Sequence, residues 1–129
     1  MGGGMSSNLA RAGHTIHVYD RVATAVERVV EAGAIAEESA AEVASKVDIL
    51  FLCRPDAEPV AEAMFEPNGI VGNAAEGLRI IDHTTMNRAA AVDIGTRAQA
   101  HGIAYADCPV SGGPAGADAG TLTVMFGGD

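Results

Sequence analysis

Residues 1–14 read MGGGMSSNLARAGH, a run of glycines that leads directly into a helix-forming segment and then a further glycine, Gly13. Glycines at the mouth of a helix let a ligand approach the backbone closely, and the unpaired N–H groups of the first turn favour an anionic phosphate. Arg11 and Gly13 have the positions typical of a helix C-terminus. The stretch therefore predicts a helix whose start binds phosphate.

The same stretch matches the second half of the pattern G-x-G-x-x-G, which surrounds the pyrophosphate of a dinucleotide. That pattern requires a hydrophobic strand and two glycines ahead of its third glycine. Gly2 would be the third glycine, so we expect the first strand and the earlier glycines to be missing from this sequence. The alternative, a disordered glycine-rich terminus, stays open on the motif alone.

Composition narrows the classes of function. The chain has 129 residues, 48% of them hydrophobic, which predicts one globular domain with a core. A net charge of −9 opposes non-specific binding to nucleic acid or to an anionic membrane surface. No run reaches the roughly 18 apolar residues of a membrane span. Cys53 and Cys108 lie far apart and no signal peptide is recognisable, so we expect a reduced, cytoplasmic setting.

Hydrophobic periodicity alternates strands with helices along the chain. It predicts strands over residues 15–19, 34–36, 47–53, 78–82, 103–107 and 122–126, and helices over 24–32, 40–46, 58–65 and 88–100. The almost continuously apolar segment 47–53 is typical of a strand buried on both faces, and the glycine-dense segment 108–120 predicts a loop. The alternation predicts a doubly wound, mostly parallel Rossmann sheet of the α/β class that lacks its first strand.

Ligands of such a sheet bind outside the carboxyl ends of its strands. Asp20 ends the first predicted strand, about 20 residues beyond the place of the first fingerprint glycine, where a carboxylate accepts hydrogen bonds from an adenosine ribose. This placement favours NAD. The adjacent Arg21 suits the 2′-phosphate of NADP instead, so the dipeptide leaves the choice between NAD and NADP open. A solvated turn without a cofactor role also stays open for these two residues.

A second candidate site follows the strand at 103–107. The backbone amides of Ser111, Gly112 and Gly113 and the Ser111 hydroxyl are suited to holding a carboxylate, although such a turn is also common as a flexible connection. The four histidines show no metal-ligand spacing, which argues against zinc. Because of this spacing, we expect no metal site. Neither Ser111 nor Cys108 stands in a nucleophile motif, so we expect no hydrolytic site.

These motifs together resemble the N-terminal domain of the β-hydroxyacid dehydrogenases, the family of 3-hydroxyisobutyrate dehydrogenase, tartronate semialdehyde reductase and 6-phosphogluconate dehydrogenase. Residues 1–14 are similar to the family's N-terminal signature. Residues 107–113, with Gly116-Ala117 and the segment 120–128, are similar to its substrate-binding segment and closing strand. The resemblance runs the whole length of the chain.

The resemblance implies a role for each matching residue. Cofactor contacts are implied for Met1, Gly2, Met5, Asp20, Arg21, Arg54, Pro55 and Thr85. Contacts to the substrate carboxylate are implied for Ser111, Gly112 and Gly113. Arg54 departs from the family, which has an apolar residue before the proline, and it either adds positive charge to the site or is solvated.

By the same resemblance, the whole protein interconverts a 3-hydroxy acid and its semialdehyde with NAD or NADP, and is a homo-oligomer. The family's acid/base lysine belongs to a helical domain outside this sequence. Lys46 is the only lysine here and is expected far from the crevice, so the chain alone is expected to be inactive. Two rivals stay open: a non-catalytic dinucleotide-binding or interaction module, and an unrelated doubly wound domain that binds another phosphate ligand.

Overall fold

The computed structural model describes residues 1–128, which form seven helices and seven strands. The helices are α1 (Gly2–Arg11), α2 (Ala23–Val30), α3 (Ala40–Lys46), α4 (Ala57–Phe65), α5 (Ile70–Asn73), α6 (Arg88–Ala100) and α7 (Gly113–Ala119). The strands are β1 (His17–Val18), β2 (Ile35–Ala36), β3 (Ile49–Leu52), β4 (Arg79–Asp82), β5 (Ala104–Asp107), β6 (Val110–Ser111) and β7 (Thr123–Val124). The α/β class with parallel strands is confirmed.

The strands form three separate sheets. Strands β3, β4 and β5 make a parallel three-stranded sheet, β1 and β2 a parallel pair, and β6 and β7 an antiparallel pair. In the three-stranded sheet, Leu52, Asp82 and Asp107 lie side by side at the carboxyl end. No ladder joins β1 to β3 in the described part of the chain, so the two parallel sheets stay apart.

Side chains cap the starts of α3 and α6. Ser39 Oγ accepts a hydrogen bond from the Glu42 amide at 3.0 Å, the first half of a capping box. The Glu42 carboxylate returns to the amide of Glu38 rather than to that of Ser39, at 3.0 Å. Asn87 caps α6 in the same way through the Ala90 amide, at 2.9 Å.

The core lies between the three-stranded sheet and helices α3 to α6. Its members that are at most 2% exposed are Ala44, Val60, Met64, Ile70, Leu78, Ile80, Ile94 and Ala98. The prediction that residues 47–53 are buried on both faces is wrong, because burial alternates along β3. Leu50 and Leu52 are each 7% exposed, whereas Ile49 is 40% and Phe51 46% exposed. The core covers only one face of this strand.

The prediction of a loop over residues 108–120 is also wrong, since this segment contains β6 and α7. Glycine and proline lower helix propensity, which concealed a seven-residue helix. Two local signals for it are present in the sequence: a proline, Pro114, in the first turn and a glycine, Gly120, in the left-handed conformation just after the end (φ +69°). The short helix α5 was missed as well, because it is a single turn.

Among residues 1–128, none of the helices combines the length and the apolar character that crossing a bilayer requires.

Candidate functional site

A groove of about 970 Å³ separates β1 from β3. It is lined by both of these strands, by the start of α1 and by the segments that follow β1 and β3. Five of the sequence-predicted cofactor residues lie along it: Met1, Gly2, Asp20, Arg54 and Pro55. The groove therefore brings together residues from the chain's beginning and from two strand ends.

The start of α1 forms one wall of this groove. Gly2, Gly3 and Gly4 belong to the helix rather than to a preceding turn, since α1 begins at Gly2 with Met1 as its N-cap. No side chain caps this helix start, and its own first turn has no acidic residue. The nearest carboxylate comes from α7, where Asp118 lies beside Gly4 and pairs with Arg28 at 2.6 Å. A Cβ on Gly2 would lie at van der Waals distance from Cys53 Cβ, 3.4 Å away, so the start of α1 lies directly beside the end of β3.

Cys53 lies between the helix start and the strand end. Its thiol accepts a hydrogen bond from the Gly2 amide, but burial raises its pKa above the ordinary value. The side chain is therefore a neutral thiol at pH 7 and adds no negative charge at the start of α1. Cys53 and Cys108 are both free cysteines.

Asp20 and Arg21 differ in their relation to the groove. Both are exposed, but only Asp20 is among the groove-lining residues. Asp20 Oδ1 accepts a hydrogen bond from the Val22 amide at 2.8 Å, which fixes the carboxylate at the end of the strand just before α2. The structure thus places the acidic member of the dipeptide at the groove and leaves the guanidinium outside its lining.

The remaining predicted cofactor residues lie outside the groove lining. Met5 is half-buried in the second turn of α1, and Thr85 is exposed just beyond the carboxyl end of β4. Thr85 follows three buried residues, Asp82, His83 and Thr84, which are at most 7% exposed. Sequence reasoning treated the segment 82–85 as a strand end and did not identify the hydrogen bonds that Asp82 makes inside it.

Ser111, Gly112 and Gly113 are exposed at the junction of β6 and α7, also outside the groove lining. Gly112 has φ +134°, a conformation that L-residues rarely adopt, and Gly113 has φ +66°. The turn therefore depends on backbone conformations that glycine favours. Its two glycines allow β6 to pass directly into α7.

Helix α7 links this turn to α1. Asn8 Nδ2 donates hydrogen bonds to the carbonyl oxygens of Ala117 and Asp118, at 2.9 and 3.2 Å. A Cβ on Gly4 would lie 2.9 Å from the Ala117 carbonyl carbon and 2.5 Å from Asp118 Oδ1, so only glycine permits this approach. Gly4 and Asn8 were not singled out from the sequence, because their partner helix was not predicted.

Lys46 was expected far from the crevice at the strands' carboxyl ends. It does line the groove, but at the groove's other end. It ends α3 just before β3 begins, so it lies at the opposite end of β3 from Arg54. Its ammonium pairs with Glu37 Oε2 at 2.6 Å and with Glu42 Oε1 at 2.9 Å. These bonds raise the lysine pKa, and they engage its donors away from the strand's carboxyl end.

A smaller cavity of about 420 Å³ lies at the C-terminal end of α6 and contains none of the predicted site residues. Within residues 1–128 there is no group of three or more His, Cys, Asp or Glu side chains arranged to hold a metal ion.

Three features define a dinucleotide-binding α/β domain. The strands that flank the groove belong to parallel sheets, α1 starts at the groove with glycines and no side-chain cap, and the Asp20 carboxylate lies beside the same groove. Comparison with known proteins agrees. The chain belongs to the family described as the NAD binding domain of 6-phosphogluconate dehydrogenase, whose sequence model matches residues 1–129.

The chain is also similar to individual proteins with named activities and to a solved structure. The chain is 38% identical over 129 residues to the NAD-dependent L-serine dehydrogenase of Pseudomonas aeruginosa, covering 100% of this chain and 43% of the relative. It is 36% identical to the 2-hydroxy-3-oxopropionate reductase of Escherichia coli, covering 100% of this chain and 44% of that protein. A Mycobacterium tuberculosis 3-hydroxyisobutyrate dehydrogenase, whose structure was determined with L-serine, superimposes with a TM-score of 0.94 at 33% identity, covering 100% of this chain and 43% of that one. The chain thus spans less than half the length of these relatives.

Proposed function

We propose that this chain is the cofactor-binding part of an NAD-dependent dehydrogenase that interconverts a small hydroxy acid and the corresponding aldehyde or oxo acid. The observation that carries the proposal is the shared groove, in which the uncapped start of α1 and the Asp20 carboxylate lie on the same cavity. The helix start suits the pyrophosphate of a dinucleotide, and the carboxylate suits the hydroxyl groups of its adenosine ribose.

Each groove residue has a specific part in this proposal. Met1 and Gly2 hold the pyrophosphate through the helix start, with Met5 in the following turn. Asp20 accepts hydrogen bonds from the adenosine ribose, which favours NAD over NADP because Arg21 lies outside the groove lining. Arg54 and Pro55 line the cofactor on the β3 side, and Thr85 presents a hydroxyl toward the nicotinamide.

The substrate end of the site is proposed at the β6–α7 turn. Ser111, Gly112 and Gly113 are exposed there, and their glycine conformations leave the backbone accessible to a carboxylate. A bound nicotinamide cofactor supplies hydride exchange with the substrate's hydroxyl-bearing carbon. The resemblance implies that the proton is handled by a lysine of a helical domain outside residues 1–129. Lys46 does not suit this role, because two carboxylates hold it at the far end of β3. We therefore expect the chain alone to bind cofactor without turnover.

The groove also supports a proposal about domain organisation. Strands β1 and β3 present edges that no described strand pairs with, and apolar residues such as Ile16, Val18 and Ile49 line the space between them. Backbone donors and acceptors at such edges need partners. We propose that in the whole protein an extended apolar strand lies between β1 and β3, and that a helical domain completes the catalytic site. The chain alone should then melt at low temperature and with low cooperativity, and a cooperative high-temperature melt by circular dichroism would contradict this organisation.

Two further features of the whole protein belong to the same proposal. The substrate partner is a small carboxylate, and the protein is a homo-oligomer, as the resemblance implies. Its setting is the cytoplasm, which is supported by two free cysteines, Cys53 and Cys108.

Fluorescence titration with NADH and NADPH tests the cofactor assignment. Asp20→Asn removes the carboxylate with little change of shape, and we expect it to weaken NADH binding about tenfold, equivalent to about 1.4 kcal/mol. The matched control is Glu76→Gln, which neutralises an exposed carboxylate outside the groove and should leave the affinity unchanged. If neither dinucleotide binds, only the fold assignment stands. If NADPH binds more tightly than NADH, the NAD preference is wrong.

A further inference from the structure

Asp82 joins the carboxyl ends of two neighbouring strands. It is the last residue of β4 and is completely buried, at 0% exposure. Its Oδ1 accepts a hydrogen bond from the Thr84 amide, and its Oδ2 accepts one from the Tyr105 hydroxyl on β5, both at 2.8 Å. Its backbone carbonyl accepts a third from the Cys108 amide at 2.7 Å. The side chain therefore fixes the turn after β4 and attaches it to β5.

The next residues extend this connection to β3. Thr84 is 1% exposed, and its Oγ1 accepts a hydrogen bond from the Arg54 amide at 3.0 Å. The His83 ring is hydrogen-bonded through Nδ1 to the Cys108 carbonyl oxygen at 2.7 Å, and it stacks on Phe51 with ring centroids 5.6 Å apart. The segment 82–84 is thus held from β3 and from the chain beyond β5.

A buried carboxylate is not needed at this position for packing alone. Burying a carboxylate is costly unless hydrogen bonds replace its water, and an apolar residue at the end of β4 would avoid the cost. Burial, and after it the neighbouring Asp82 carboxylate, raises the pKa of Tyr105, which keeps the phenol protonated as a donor. Both oxygens of Asp82 therefore keep their partners across the physiological range.

The residues placed by this network are those that the proposed function uses. Arg54, which lines the groove, receives its backbone position from Thr84, and Thr85 is the first exposed residue after the buried segment. A single side chain thus sets the relative positions of groups that follow two different strands. A displacement of the turn would move Thr85 and Arg54 together.

We propose that Asp82 is a positioning residue of the dinucleotide site, which fixes Thr85 and Arg54 for cofactor binding without touching the cofactor itself. The inference rests on the proposed function, because it concerns the affinity for the same ligand. Neither the residue pattern at a strand end nor the family likeness assigns a role to Asp82. Its role follows from the hydrogen bonds of its two carboxylate oxygens.

The test compares NADH affinity with stability in the same set of variants of this chain. Asp82→Ala removes both acceptors, and we expect NADH binding to weaken about tenfold or more, which corresponds to about 1.4 kcal/mol. Asp82→Asn keeps an acceptor for the Thr84 amide, so we expect it to recover affinity to within about threefold of wild type. The matched control is Ile94→Ala, a core truncation on α6 that lowers the melting temperature but should leave the affinity within about twofold.

A milder variant keeps the proposal testable if Asp82→Ala does not fold. Thr84→Val preserves the shape of the side chain and removes only the acceptor of the Arg54 amide. We expect faster amide hydrogen exchange at Arg54 and an NADH affinity about threefold weaker, with a nearly unchanged melting temperature.

The outcomes separate the two proposals. If the wild-type chain binds NADH and folded Asp82→Ala binds it equally well, Asp82 is not a positioning residue and the proposed function survives. If affinity falls in Ile94→Ala as much as in Asp82→Ala at the same loss of stability, the role of Asp82 is structural only. If the wild-type chain binds neither NADH nor NADPH, the proposed function fails and this inference fails with it.

Discussion

The two parallel sheets of this domain contrast in how strongly they are held. Strands β3, β4 and β5 have four residues each, form two continuous ladders and pack on a core of fully buried side chains. Strands β1 and β2 have two residues each, and Ile35 on β2 is 47% exposed. Strands β1 and β3, one from each sheet, line the groove, and Thr85 follows β4 of the larger sheet. In the proposed function, the nicotinamide side would therefore be built on the larger sheet with the buried core, and the adenosine side on a small peripheral sheet.

The largest expected effect compares two valines, one in each region. Val60→Ala truncates a side chain that is 0% exposed on α4, and we expect a loss of about 2–3 kcal/mol in the free energy of unfolding. Val29→Ala on α2 removes the same atoms beside the groove, where the cavity opens to solvent, and should cost about 1–1.5 kcal/mol. Urea denaturation measures both. Equal losses would show that the two regions are equally well packed.

A second prediction concerns the contact between α1 and α7. Gly4→Ala places a methyl group 2.9 Å from the Ala117 backbone, so the helices must separate, at a cost of about 1–3 kcal/mol. The matched control is Gly3→Ala, whose nearest neighbour is Val29 Cγ2 at 3.8 Å. That variant should be neutral or more stable by about 0.5–1 kcal/mol, because alanine favours a helix. Similar thermal melts for the two variants would mean that the contact with α7 is loose.

The third prediction concerns Asp107, whose buried carboxylate on β5 lowers the stability of the three-stranded sheet at neutral pH. Asp107 Oδ1 is buried and has no hydrogen-bond partner among residues 1–128. Burial, and then the Asp82 charge, raises the pKa of Asp107 above its ordinary 3.8. A raised carboxyl pKa means that the fold binds the proton more tightly than the unfolded chain does, so this group lowers stability as pH rises above 3.8.

Asp107→Asn should therefore unfold at a higher urea concentration than wild type at pH 7, and the difference should shrink below pH 3.8. Glu76→Gln, at an exposed position, serves as the control for loss of a negative charge. A destabilised Asp107→Asn at pH 7 would show that the ionised carboxylate has a stabilising partner.

The smallest expected effect is at the other sheet. Glu37 and Glu42 both pair with Lys46, and these hydrogen bonds are the main cause of their lowered pKa values. A lowered carboxyl pKa contributes stability above the ordinary value of 4.5, which is lost as pH falls through the folded pKa. Lys46→Met should therefore be slightly less stable than wild type at pH 7, and the two urea midpoints should converge under acid conditions. A pH-independent difference would mean that Lys46 acts through packing of its alkyl chain.

The sequence predicted the long elements well and the short ones poorly. The helix over 88–100 was predicted with its observed bounds, since the helical pattern stops at Gly102. The structure adds that Asn87 caps its start. Strand β3 was placed correctly, but its exposed face was not foreseen, since an apolar run does not reveal which neighbours cover it. Helix α7 was missed because its glycines have a tertiary purpose: Gly116 lies against Leu122, with a Cβ there 3.2 Å from Leu122 Cδ2.

The candidate site divides in the same way. The glycine run, Asp20 and Pro55 were recognisable because each belongs to a local pattern, and the structure brings all three to one groove. The network around Asp82 was not recognisable, because its partners come from β5 and from the end of β3, which only the fold brings together. Long-range hydrogen bonds leave no periodic signal in a sequence.

The groove between β1 and β3 also has a consequence for the behaviour of the chain in concentrated solution. Unpaired strand edges are templates for lateral association with other molecules, and here two of them lie along one apolar cavity. Exposed Ile49 and Phe51 on β3 add the β-rich, uncharged surface from which aggregation starts. Solubility therefore becomes a readout of whether the cavity is filled: whatever occupies it protects the edges, and light scattering of the chain falls as occupancy rises.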